Sequence, residues 1–201
     1  MKSQCKMWKG LVGILVLCLW ASGAWAIPIV IDNEDGGPAF ALSGGGWNSG
    51  TETGEYGLNS NHSRNQDAMA YYNFTGLVND AYYVWATWPN SSNPSADFNV
   101  TPGGGSTTTV SVDQTTAPDV DLVLFDSIES ENVNFELLAT VIVTDGTLAV
   151  VWDQSSDWTS NPWCWLQADA VAVERVPEAI STVGLLGLGG LLLVRRRKIK
   201  N

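Results

Sequence analysis

Apolar and polar residues alternate with a period of two along most of the middle of the chain. In 67–75, Ala68, Ala70, Tyr72 and Phe74 share one face, and Met69, Tyr71 and Asn73 share the other. In 81–88, Tyr83, Trp85 and Thr87 oppose Tyr82, Val84, Ala86 and Trp88, with 76–80 as the turn between the two strands. The β-branched stretch 107–112 predicts another strand. Segments 135–143 and 147–152 flank Thr144-Asp145-Gly146, the strongest hairpin signal in the chain. Strands at 28–32 and 168–176 open and close this region. Short strands set apart by Gly, Asn and Ser clusters predict an all-β fold, a single jelly-roll-like β-sandwich. No part of 27–178 carries a helical period, and no internal repeat is present.

The two ends follow a different pattern. Residues 1–26 read as a secretory signal peptide. Lys2, Lys6 and Lys9 precede an apolar run, and Ala24-Trp25-Ala26 supplies a small-x-small cleavage site. Near the other end, 179–194 is apolar throughout apart from Ser181 and Thr182, and Arg195, Arg196, Arg197 and Lys198 stop it. As a single helix it would span about 24 Å at roughly 1.5 Å per residue, somewhat short of a hydrocarbon core of about 30 Å. Snorkelling arginines reduce the mismatch. A leading signal and a trailing apolar segment with a basic end place 27–175 outside the cytoplasm.

The tail resembles the PEP-CTERM sorting signal. The matching residues are Val176, Pro177 and Glu178, the Gly/Leu-rich run 184–191, and Arg195, Arg196 and Arg197; the motif's second proline is Ala179 here. The resemblance implies processing by an exosortase, a transient stay in the inner membrane, and delivery to the cell surface or extracellular matrix. The chain then divides into a signal peptide (1–26), a sandwich (27–175) and a sorting and anchor segment (176–201).

Charge narrows the function. All 21 acids lie between Asp32 and Glu178, where Arg64 and Arg175 are the basic residues, so this stretch carries about −19. Such a surface repels phosphate backbones, which excludes nucleic acid as a partner. Cys164 stands alone once the signal peptide is removed, so no internal disulfide forms. One histidine, His62, and one cysteine leave no nucleophilic triad and no His-rich zinc site. The Gly44-Gly45-Gly46 and Gly103-Gly104-Gly105 runs lack the lysine of a phosphate cradle. Carboxylates are plentiful, but a bare sandwich rarely supplies the cleft that glycosidase chemistry needs, so a carbohydrate-active enzyme is the remote reading and no catalytic residue is assigned.

Ile31-Asp32-Asn33, Trp47, Glu55-Tyr56-Gly57, 82–89, 109–114 and Asp169-Ala170-Val171, in that order, resemble the golvesin C-terminal / xanthan-lyase carbohydrate-binding-like domain. That resemblance implies a β-sandwich and carbohydrate binding. The residues add a surface for it: indoles stack on sugar C–H faces, and carboxylates and amides beside them meet hydroxyls. Trp158, Trp163 and Trp165 lie among turn-formers, with Asp153, Asp157 and Gln167 as polar partners, and an extracellular polysaccharide is the expected ligand. The other reading of these indoles is a cap on the sandwich end, in a purely structural component of the extracellular polymer. Asp32, Glu34 and Asp35 leave the first strand and Asp169 opens the last. Two readings stand for them, a structural Ca²⁺ site or ordinary turn chemistry.

Overall fold

The computed structural model describes residues 26–51, 54–89, 95–126, 131–154 and 165–177. The signal peptide up to residue 25, Asp157, Trp158, Trp163, Cys164 and the tail from Glu178 onward, Arg195 to Arg197 included, lie outside the described residues. The chain divides into two units, and the sandwich is the unit Ile27–Val176.

Among the described residues all regular structure is β, in three antiparallel sheets. The first comprises β1 (Ile29–Asp32), β13 (Ala170–Arg175), β6 (Ala81–Thr87), β10 (Glu131–Ile142) and β9 (Leu122–Asp126), in that order. The second runs β2 (Phe40–Ser43), β5 (Met69–Thr75), β11 (Thr147–Gln154), β7 (Ala96–Pro102) and β8 (Thr108–Val112). A small third sheet orders β12 (Leu166–Ala168), β4 (Ser60–Ser63) and β3 (Asn48–Gly50).

The alternation seen in the sequence becomes the core. Ile31, Val84, Ala86, Val141, Val171 and Val173 of the first sheet meet Phe40, Ala70, Tyr72, Phe74, Phe98, Val100, Val150 and Trp152 of the second. Period two forces this, because successive side chains of a strand leave opposite faces. Trp152 fills the centre, with ring centroids 4.2 Å from Phe98 and 6.4 Å from Trp88. A second apolar cluster, Trp85, Val133, Phe135, Ala170 and Ala172, lies on the outer face of the first sheet. Tyr56, from the segment between β3 and β4, packs on it, edge-on to Phe135 at 5.8 Å.

Six strands lie outside those that the sequence pattern predicts: β2, β3, β4, β7, β9 and β12. The stretch 59–66 reads as a polar loop, yet β4 (Ser-Asn-His-Ser) is a ladder strand between β3 and β12. The acidic region around Asp119 and Asp121 holds β9, the edge strand of the first sheet. In both places backbone pairing, set by the neighbouring strands, outweighs side-chain propensity.

Candidate functional site

Two places bring together residues singled out above. The first is an aromatic corner. Trp165 leads into β12 and stays partly exposed, and Arg64 lies over it with Cζ 3.7 Å from the ring centroid. His62 of β4 meets the same ring edge-on at 4.6 Å. The corner is braced from below: Ser63 Oγ donates to the Gly45 carbonyl at 3.1 Å, and Asn65 Nδ2 donates to the Gly44 carbonyl. Trp47, also partly exposed, donates from Nε1 to the Ser43 carbonyl at 2.7 Å. Gln167 is buried rather than displayed. It sits opposite His62 in the ladder, and the Gln114 side chain bonds its backbone at both ends, donating to its carbonyl at 2.8 Å and accepting from its N–H at 3.3 Å. Gln114 thus acts as one more rung beside β12.

The second place is a group of buried carboxylates. Pairing of β1 with β13 sets Asp32 opposite Ala170, so Asp32 and Asp169 converge as expected of neighbouring first and last strands. Two residues outside the expected ligand set join them, Glu55 and Asp126. All four are buried. They surround the backbone of 55–57: Tyr56 N–H donates to Asp169 Oδ2 at 2.9 Å, and Gly57 N–H donates to Asp126 Oδ2 at 2.9 Å. Position 57 accepts only glycine, since its φ is 87° and a Cβ would stand 2.3 Å from Asp32 Oδ2. Glu34 and Asp35 are exposed on the adjoining turn. Asp35 Oδ2 accepts from Asp32 N–H at 2.8 Å, and Glu34 accepts from Asn59 Nδ2.

Burial pushes the Asp32 carboxyl up to about 7, against a backbone bond that lowers it; Glu34, Asp35 and Asp126 add to the rise. Burial also raises Asp169 well above the carboxylate range. The Tyr56 amide opposes that rise, and Asp32, Glu55 and Asp126 reinforce it. Among the described residues no three such groups already converge tightly enough to enclose an ion. The donor set nonetheless suits a hard cation. It is all oxygen, and Oδ1 of both Asp32 and Asp169 is buried without a hydrogen-bond partner. Desolvated carboxylates facing one another are costly unless protonated or neutralised.

A milder like-charge contact lies on the outer face of the second sheet. Asp153 stands directly opposite Asp97 in the β11–β7 ladder and accepts from Asn99 Nδ2 at 3.0 Å. Burial, and then Asp97, push its carboxyl up to about 6, against the Asn99 bond. A carboxyl raised on folding binds its proton more tightly in the folded state, so its stabilising effect is complete in acid and is lost as pH rises from about 4 through about 6. Asp153→Asn keeps the acceptor for Asn99 and removes the charge. Its melting temperature is expected to exceed the parent's at pH 7 and to match it near pH 4. A gap of equal size at both values would show that the repulsion is not what differs.

The fold resembles part of a xanthan lyase. Over 78% of this chain and 14% of that one, the Paenibacillus enzyme superposes with a TM-score of 0.58 at 21% identity. The chain therefore spans about a seventh of that enzyme, and the likeness is one of fold. Looser matches include a family 35 carbohydrate-binding module from Clostridium thermocellum, at TM-score 0.46 and 14% identity, covering 73% of this chain and 98% of the module. Another is carbohydrate-binding module CBM36, solved with calcium and xylotriose, at TM-score 0.40 and 12% identity, covering 72% of this chain and 98% of that one. A scan of family models and a search of curated proteins found no match.

Proposed function

We propose that this protein is an exported, non-catalytic β-sandwich that binds extracellular polysaccharide at the cell surface or in the matrix. The fold shared with a segment of xanthan lyase supports a carbohydrate-binding-like domain. The observation that carries the binding reading is the corner at Trp165, where Arg64 and His62 hold a partly exposed indole in place. A ring fixed before binding loses little freedom when a sugar stacks on it. Trp158, Trp163 and Asp157 belong to the segment that leads directly into Trp165 and extend the surface in this proposal. Export, transient anchoring and exosortase processing rest on the sequence of the two ends, with Val176, Pro177, Glu178 and Arg195 to Arg197 as the sorting elements. A structural Ca²⁺ at Asp32 and Asp169 completes the proposal.

Stacking on one aromatic is worth about 0.5–1.5 kcal/mol, which is roughly twofold to tenfold in affinity. Trp165→Ala is therefore expected to weaken retention of the full-length protein on purified extracellular polymer by about that factor, with the melting temperature nearly unchanged. The triple variant with Trp158→Ala and Trp163→Ala should lose retention altogether. A folded triple variant that binds as well as the parent removes this surface from consideration.

A further inference from the structure

We propose that Asp32, Glu55, Asp126 and Asp169 bind a single divalent cation, and that this ion pins segment 54–59 across the outer face of the first sheet. The inference rests on the calcium reading above and extends it in two ways. It adds Glu55 and Asp126 to the ligand set in place of Glu34 and Asp35, and it gives the ion a mechanical task.

Convergence of four chain regions is the first support. Asp32 ends β1, Glu55 lies in the connection before β4, Asp126 ends β9 and Asp169 precedes β13. Their meeting point is the backbone of 55–57, which is bonded to Asp169 and Asp126 and crowded against Asp32. Orphaned oxygen atoms are the second support. Asp169 is wholly buried and Asp32 is 9% exposed, yet Oδ1 of each lacks a hydrogen-bond donor. Buried acceptors without donors are rare in native proteins and call for a missing partner. The third support is charge. Three other carboxyl groups, Asp32, Glu55 and Asp126, act on Asp169. A compact divalent ion supplies the positive charge and takes several oxygen ligands at once.

The mechanical task follows from what segment 54–59 carries. Tyr56 covers Phe135 and the apolar cluster around Trp85. Two backbone hydrogen bonds tie the segment to carboxylates that repel one another. Neutralising those carboxylates holds the segment down, and removing the ion frees it to lift and uncover the outer face.

The test uses full-length protein, first stripped with chelator and then titrated with Ca²⁺, with Mg²⁺ and NaCl as controls. Calcium is expected to raise the melting temperature by roughly 5–10 °C at about a hundredfold excess over Kd. It should also slow hydrogen exchange at the Tyr56 and Gly57 amides. Tb³⁺ should bind in its place with tyrosine-sensitised emission, since Tyr72 Oη lies 3.0 Å from the Asp169 carbonyl oxygen. Glu55→Gln and Asp126→Asn, which remove like charge and so should fold, are each expected to weaken calcium binding at least tenfold. If calcium stabilises both variants and the parent alike, or leaves the two amides unprotected, the four-ligand pin is wrong while a calcium site elsewhere stands. If calcium does no more than NaCl, or terbium emission is absent, the site itself is overturned.

Discussion

Trp152→Ala is expected to destabilise the sandwich by about 3–5 kcal/mol, the range for removing a large buried aromatic. At roughly 2–4 °C per kcal/mol for a domain of this size, the melting temperature should fall by about 6–20 °C. Trp152 is fully buried at the centre of the second sheet, where β11 lies between β5 and β7. Its ladder partners are Ala70 and Phe98. The small Ala70 stands opposite it, and Phe98, Trp88 and Tyr72 surround its ring. Tyr72 and Phe98 cannot swing in to fill the space, because each sits on a strand paired on both sides. The indole N–H of Trp152 has no hydrogen-bond partner, whereas that of Trp88 donates to the Thr116 carbonyl at 2.9 Å. Trp152→Phe therefore removes an unsatisfied donor along with part of the ring, and most of the stability should return. Chemical denaturation of the three proteins tests this. A loss below about 1 kcal/mol for the alanine variant would mean that Trp152 is not the centre of the core.

The same physics explains what could be read from the sequence. Strands β5 and β11 alternate because one face of each is core and the other is not, and that contrast is written in residue type. Strand β4 shows no such contrast: Ser60, Asn61 and Ser63 are polar and buried, enclosed by β3 and β12. Nothing local marks it, since only the partners make it a strand. The site divides in the same way. Asp32 and Asp169 are legible together because first and last strands commonly pair. Glu55 and Asp126 are not, since only the crossing of segment 54–59 over the sheet brings them in. Gln167, two residues beyond Trp165, reads in the sequence as a polar partner of the indoles. The pattern does not reveal that the face at Gln167 is closed by β4 and Gln114.

Gly44→Ala is expected to destabilise by at least 2 kcal/mol more than Gly37→Ala does. Both glycines have left-handed backbone, with φ of 80° and 64°, so both substitutions carry the strain of an L side chain in that region, about 1–2 kcal/mol. They differ in what the new methyl meets. At Gly37 nothing lies within 4 Å; at Gly44 the Cβ would stand 1.8 Å from the Asp67 carbonyl oxygen and 2.3 Å from its carbon. Those are backbone atoms just before β5, and they cannot turn aside as a side-chain tip can. Relief requires the end of β2 to move off β5, where Ser43 pairs with Met69. That movement also takes away the support of the aromatic corner, because Asn65 bonds the Gly44 carbonyl and Trp47 bonds the Ser43 carbonyl. Polymer retention should therefore fall with stability in Gly44→Ala and stay at the parent level in Gly37→Ala. Melting curves and retention measured on the same two proteins separate the effects. Equal stability losses would show that left-handed strain alone decides. A weakened Gly44→Ala protein with undiminished retention would show that the corner does not depend on the end of β2.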